Sequence, residues 1–175
     1  VVAKAISLIS DKRYLLIGDS YGQGARNQVG VKGWAPLFKE KMGLSDDNCV
    51  INTLGGTGFC RGVSKSKEGI TIDNGADESK EYKFIDLLSC TATMTETDGV
   101  RELKVSEIFP VTNPETITDN ALCGGYNDQW LRCDEISNEI NKFVAKAKEL
   151  YPNALVSIGM VGCSAKTNQA IYTQQ

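Results

Sequence analysis

Tyr14-Leu15-Leu16-Ile17-Gly18-Asp19-Ser20-Tyr21-Gly22 is an apolar run that stops at once in Gly-Asp-Ser. The run is short, uninterrupted and bounded by glycine, which predicts a buried strand breaking into a tight turn. Its product is a serine hydroxyl at the carboxyl end of a strand, the edge at which ligands bind in open α/β sheets. A nucleophilic serine needs a base, most often histidine, and none of the 175 residues is a histidine.

Working outward, strand and helix patterns alternate. Trp34, Leu37, Phe38 and Met42 fall on one helical face, with Pro36 tolerable in the first turn and Gly43 placed to end the helix. Cys49-Val50-Ile51-Asn52-Thr53 reads as a second strand running into the glycine loop Leu54-Gly55-Gly56-Thr57-Gly58-Phe59. Residues 61–83 are polar and turn-rich and predict an exposed surface insertion, with a small hairpin at Ile70 to Gly75. Phe84 to Leu88 opens a predicted helix toward Met94, and from Thr95 to Thr116 the pattern is weak, with Pro110 and Pro114 against a long regular element.

Ile117 to Cys123 is a poorer strand, holding Asp119 and Asn120, and it leads into Gly124-Gly125-Tyr126-Asn127-Asp128. The clearest helix spans Asp134 to Tyr151, where Ile136, Ile140, Phe143, Val144, Ala147 and Leu150 share a face, Asp134 stands at the N-cap and Pro152 stops it. Ala154 to Gly162 is nearly all apolar, the pattern of a parallel strand covered on both faces, yet no helical pattern follows to supply that cover. About four strands and three helices in alternation predict a single α/β domain built on a parallel sheet.

Composition narrows the function classes. A hydrophobic share of 41%, a charged share of 23% and a net charge of -3 suit an ordinary globular domain with no basic footprint for nucleic acid. No apolar run reaches the ~18 residues of a membrane span. The Val1–Ser10 stretch lacks the basic start and cleavage site of a signal peptide, and a start at Val suggests that something upstream is missing. Six cysteines without a Cys-x-x-Cys pair and without histidine argue against zinc and read as buried thiols, which favours a reducing, cytoplasmic setting. Gly22-x-Gly24 is not a dinucleotide fingerprint, because Asn27 stands where the third glycine belongs, and no Gly-Lys-Ser/Thr phosphate loop occurs. No cofactor or metal is implied, and oligomeric state is not legible.

In a parallel sheet the loops after the three strands emerge on one edge, so Gly18-Asp19-Ser20, Gly55-Gly56-Thr57-Gly58 and Gly125-Tyr126-Asn127-Asp128 can meet at one site. Acyl transfer needs such a meeting: a serine to attack the carbonyl, with backbone and amide N–H groups for the oxyanion. These three motifs, in this order, resemble the first three sequence blocks of the SGNH/GDSL hydrolases over roughly residues 13–163. The resemblance implies a three-layer α/β/α fold with a flavodoxin-like parallel sheet. It implies Ser20 as nucleophile and oxyanion donor, Gly56 as the second donor with Gly58 as competitor, and Asn127 as the side-chain donor. Asp19 and Asp128 would shape the turns.

The fourth block, Asp-x-x-His, is absent, as is the helix that would follow it. Together these lead to the expectation of a C-terminally truncated hydrolase domain, inactive or nearly so by itself. The implied substrate is a small-molecule or carbohydrate ester, including O-acetyl groups on sugars. Tyr126 and Trp130 are candidates to line an acyl or sugar pocket, with core or rim packing as the alternative of at least equal weight. The alternative is a noncatalytic ligand-binding domain that keeps the fold.

Overall fold

Leu15, Leu16 and Ile17 are apolar on both sides of the pleat, and such a strand is stable only between two covering layers. In the computed structural model, which describes residues 11–24, 32–65, 70–73, 77–97 and 100–160, that is their setting. Strand β1 (Tyr14–Gly18) is buried at every position. It lies between β2 (Cys49–Thr53) and β6 (Asp119–Gly124), and β7 (Leu155–Met160) pairs with β6. All three pairings are parallel, giving the order β2-β1-β6-β7.

Helices stand on both faces. Helix α2 (Trp34–Lys41) covers one side, where Ala35, Trp34 and Phe38 pack with Tyr14, Leu16 and Cys49. The sequence pattern placed Leu37 on that face. Leu37 is instead 41% exposed, and the small Ala35 takes the buried place, letting the helix approach the strands closely. Helix α3 (Cys133–Leu150) covers the other side, with Ile136, Phe143 and Ala147 in one cluster with Leu15, Ile17 and Leu122. It starts one residue before Asp134. Arg132 holds the N-cap position and its N–H donates to Glu135 at 3.3 Å, while Asp134 lies in the acidic first turn.

The middle of the chain departs from the sequence reading. The predicted helix from Phe84 to Met94 is a single 3-10 turn at Asp86–Leu88, followed by strand β4 (Thr91–Thr97). Alternating β-branched Thr91, Thr93, Thr95 and Thr97 favour a pleat over a helix. Strand β5 (Val100–Ser106) pairs antiparallel with β4 within the stretch read as weakly patterned. Of the hairpin read at Ile70 to Gly75, residues 74 and 75 lie outside the described part, and the described β3 (Thr71–Asp73) pairs parallel with β5, some thirty residues on. The three strands make a second sheet, β3-β5-β4. Within 61–83, Arg61, Glu78 and Ser79 are exposed, whereas Val63, Ile70 and Tyr82 are buried in the main cluster.

The two sheets meet through Asn52 of β2. Its Nδ2 donates to the Leu87 and Cys90 carbonyls at 2.6 and 2.7 Å, and its Oδ1 accepts from the Ala92 N–H at 2.6 Å. Residues 161 and 162 of the predicted last strand lie outside the described part. Of the expected two-sided cover, β7 has one half: Leu155, Ser157 and Gly159 are exposed, while Val156, Ile158 and Met160 face the core. No helix among the described residues is long and apolar enough to cross a membrane.

Candidate active site

At the end of β1 the chain turns through Asp19 into a single helical turn, α1 (Ser20–Gln23). Asp19 is the N-cap: its Oδ1 accepts from the Tyr21 N–H at 2.9 Å, the bond that satisfies a helix's first amides. Gly18 and Gly22 have no side chain between them and the Trp34 indole, which packs beneath the turn; a Cβ on either would come within 3.3 Å of that ring. Two long-range bonds tie the turn to its neighbour loop. Gln23 Nε2 donates to the Thr53 carbonyl at 2.8 Å, and the Leu54 N–H donates to the Gly18 carbonyl at 3.0 Å.

The second loop is shaped from the third. Asp128, fully buried, accepts through Oδ2 from the Phe59 N–H at 2.6 Å and through Oδ1 from the Cys60 and Arg61 N–H groups at 3.1 and 3.0 Å. A Cβ on Gly58 would overlap that carboxylate, so glycine is needed there for close approach. The Gly58 N–H itself donates to the Arg61 carbonyl at 2.9 Å. Gly56 has a positive φ of 86°, a turn conformation that favours glycine. Asn127 Nδ2 donates to the Thr57 carbonyl at 2.6 Å, so the third loop grips the second with two adjacent side chains.

These loops surround one hollow of about 530 Å³, within the range of small-ligand sites. Ser20, Gly56 and Asn127 all line it, with Tyr21, Tyr126 and Leu103 of the second sheet among the walls; Gly58 does not. The Tyr21 and Tyr126 rings meet edge to face at 5.4 Å. Neither Leu103 nor Arg61 was singled out from the sequence. The Asp98-Gly99 dipeptide between alternating runs is the hairpin signal that would have placed Leu103 on a strand.

The electrostatics of the turn are unusual. Asp19 is fully buried and its Oδ2 has no hydrogen-bond partner among the described residues. Burial pushes its carboxyl up to about 6, against the lowering effect of the Tyr21 N–H, and the nearby Asp128 charge adds to the rise. Burial also raises the thiols of Cys49, Cys60, Cys90 and Cys123. All five cysteines among the described residues are free, and Cys163 lies outside them.

No protein-family model matches the sequence, and no curated protein sequence matches it. Among solved structures, a carbohydrate esterase family 2 enzyme plus carbohydrate-binding domain from Corynascus thermopiles (Myceliophthora fergusii) superposes with a TM-score of 0.56 at 14% identity. The match covers 93% of this chain and 48% of that one, so the chain spans about half the length of the protein it resembles. The likeness is one of fold, and it agrees with the parallel sheet: the chain has an α/β fold with a parallel four-strand sheet like that of the SGNH-fold esterase.

Proposed function

We propose that this chain is the ester-binding part of a serine ester hydrolase acting on carboxylic esters, O-acetyl groups on carbohydrate among them. One observation carries the reading: Ser20, Gly56 and Asn127, drawn from loops separated by more than a hundred residues, line the same hollow. The likeness in fold to a carbohydrate esterase supports it.

In this reading the Ser20 hydroxyl attacks the ester carbonyl. The carbonyl oxygen gathers negative charge and accepts from the Ser20 and Gly56 N–H groups and from Asn127 Nδ2. An amide NH2 carries two N–H bonds; Thr57 takes one, which holds the group in place and leaves the other for substrate. Collapse of the intermediate breaks the bond to the alcohol oxygen and leaves Ser20 acylated until water releases the acid.

The proton on Ser20 needs an acceptor, and these 175 residues contain no histidine. Turnover by the chain alone is therefore limited to what oxyanion stabilisation and binding supply. The same lack favours a second reading, a noncatalytic domain that binds esters without cleaving them.

Hydrolysis of p-nitrophenyl acetate separates the two. Where the protein extends beyond these residues and supplies a base, Ser20→Ala is expected to lower kcat/KM by at least ~10³-fold, while residues 1–175 alone remain near background. Equal rates for wild type and Ser20→Ala would remove the catalytic reading and leave the binding one.

A further inference from the structure

The second sheet supplies one wall of the hollow at Ser20. Leu103 of β5 is the sole aliphatic side chain among the described residues that line it. Leu103 and Val105 share a face of β5, and across the ladder they stand opposite Met94 and Ala92 of β4. Val105 and Ala92 are buried in the core, whereas Leu103 and Met94 are half-buried. The Leu103–Met94 pair therefore stands where this face leaves the core and meets the hollow.

A further hollow, of about 280 Å³, lies on the Met94 side. Pro36, Ile51, Ala92 and Met94 give it an apolar lining, and Gln23 lines it too. Direct cross-strand partners are close enough for their side chains to touch, so Leu103 and Met94 together form a partition between the two spaces. Gln23 completes it, because its Oε1 lies 3.0 Å from where a Cβ on Gly55 would stand.

On the serine side the space before this partition is narrow. A Cβ on Gly55 would stand 3.6 Å from the Ser20 Cβ and 3.9 Å from the Leu103 Cδ1, both contact distances. One methyl group thus spans serine to leucine at that point. Of the two halves of a carbohydrate ester, the acyl half is the one without hydroxyls, and the aliphatic wall suits it. Tyr21, Tyr126, Asn127 and Gln129 line other parts of the hollow.

We propose that Leu103 sets the acyl length: it stops a short acyl chain, and its removal joins the two hollows into one channel for longer chains. The proposal rests on Ser20 being the residue that attacks the ester. Leu103 contacts the acyl group and takes no part in the chemistry.

Residues 1–175 have no histidine to activate Ser20, so the test uses a nucleophile that needs none. In Ser20→Cys at about pH 9 the thiol is mostly ionised. Its sulfur bonds to the carbonyl carbon of a p-nitrophenyl ester, the bond to the phenol oxygen breaks, and p-nitrophenolate leaves with the electron pair. Peptide mass spectrometry follows acylation at position 20 by the acetate and the hexanoate, each rate divided by that of free N-acetylcysteine. An acyl tail that finds apolar cover gains about fourfold per methylene, so a preference for acetate marks a stop. Acetate is expected to react at least ~tenfold faster than hexanoate. Adding Leu103→Ala should raise the hexanoate rate at least ~tenfold and leave the acetate rate within about threefold, with the milder Leu103→Val in between.

A hexanoate rate at or above the acetate rate in Ser20→Cys, or a ratio that neither Leu103 variant changes, overturns the stop. The two readings fail separately. An unchanged ratio beside Ser20-dependent hydrolysis of p-nitrophenyl acetate discards the stop and keeps the esterase, and a Leu103-dependent ratio without such hydrolysis does the reverse. Reaction at position 20 no faster than that of N-acetylcysteine with either ester overturns both.

Discussion

At the scale of single residues, the two aspartates of the loop motifs are both buried and do different work. Asp128 spends its carboxylate on three backbone N–H groups, whereas Asp19 accepts through Oδ1 from the Tyr21 N–H and its Oδ2 has no hydrogen-bond partner among the described residues. Asp19 is thus held with a carboxyl raised from 3.8 to about 6. A carboxyl raised on folding binds more protons in the native state than in the unfolded one. Its favourable contribution is complete below about pH 4 and is lost as pH rises through about 6, a swing on the order of 3 kcal/mol. Asparagine keeps an oxygen for the Tyr21 N–H and cannot ionise. Asp19→Asn should therefore stabilise the fold by about 1–3 kcal/mol at pH 7.5 and by almost nothing at pH 4. Urea unfolding across that range measures it, and a constant offset at all pH values would show that burial of the charge is not the cause.

At the scale of elements, local pattern and long-range bonding separate cleanly. β1, β2 and α3 were legible because a continuous apolar run, a β-branched run and a 3.6-residue apolar period are local properties. The same holds for the three loop motifs, whose glycines and Ser20 follow strands in sequence. The second sheet was legible only in part. The β4–β5 pair has a local signal in its alternating threonines and Asp98-Gly99, whereas β3 takes its partner from β5 across some thirty residues. In the sequence Asn52 reads only as one residue of the second strand. Its three bonds reach 35 to 40 residues ahead, which no local pattern announces. Replacing it by leucine would fill the volume but strand two carbonyls and one N–H in the core. Each such group costs about 1–3 kcal/mol, so Asn52→Leu should destabilise by about 3–5 kcal/mol in denaturant unfolding. A loss under about 1 kcal/mol would mean that water reaches these groups.

At the scale of the whole molecule, cover is uneven across the main sheet. β1 is buried along its length and paired on both sides, with α2 over one face and α3 over the other. α2 reaches Cys49, Tyr14 and Leu16 but only Ala121 of the farther strands, so the face formed by Leu155, Ser157 and Gly159 is open among the described residues. Leu155 is 64% exposed. Among the described residues β7 also pairs with β6 alone. Opening β7 breaks one ladder and exposes little new apolar surface on its open side, whereas opening β1 breaks two ladders and uncovers both clusters. Local opening free energies follow such differences in burial. Amide hydrogen exchange should be slowest at Leu15 to Ile17 and faster by at least about tenfold at 155–160. Equal protection of the two strands would require a layer over the Leu155, Ser157 and Gly159 face in solution, since pairing to β6 alone does not supply it.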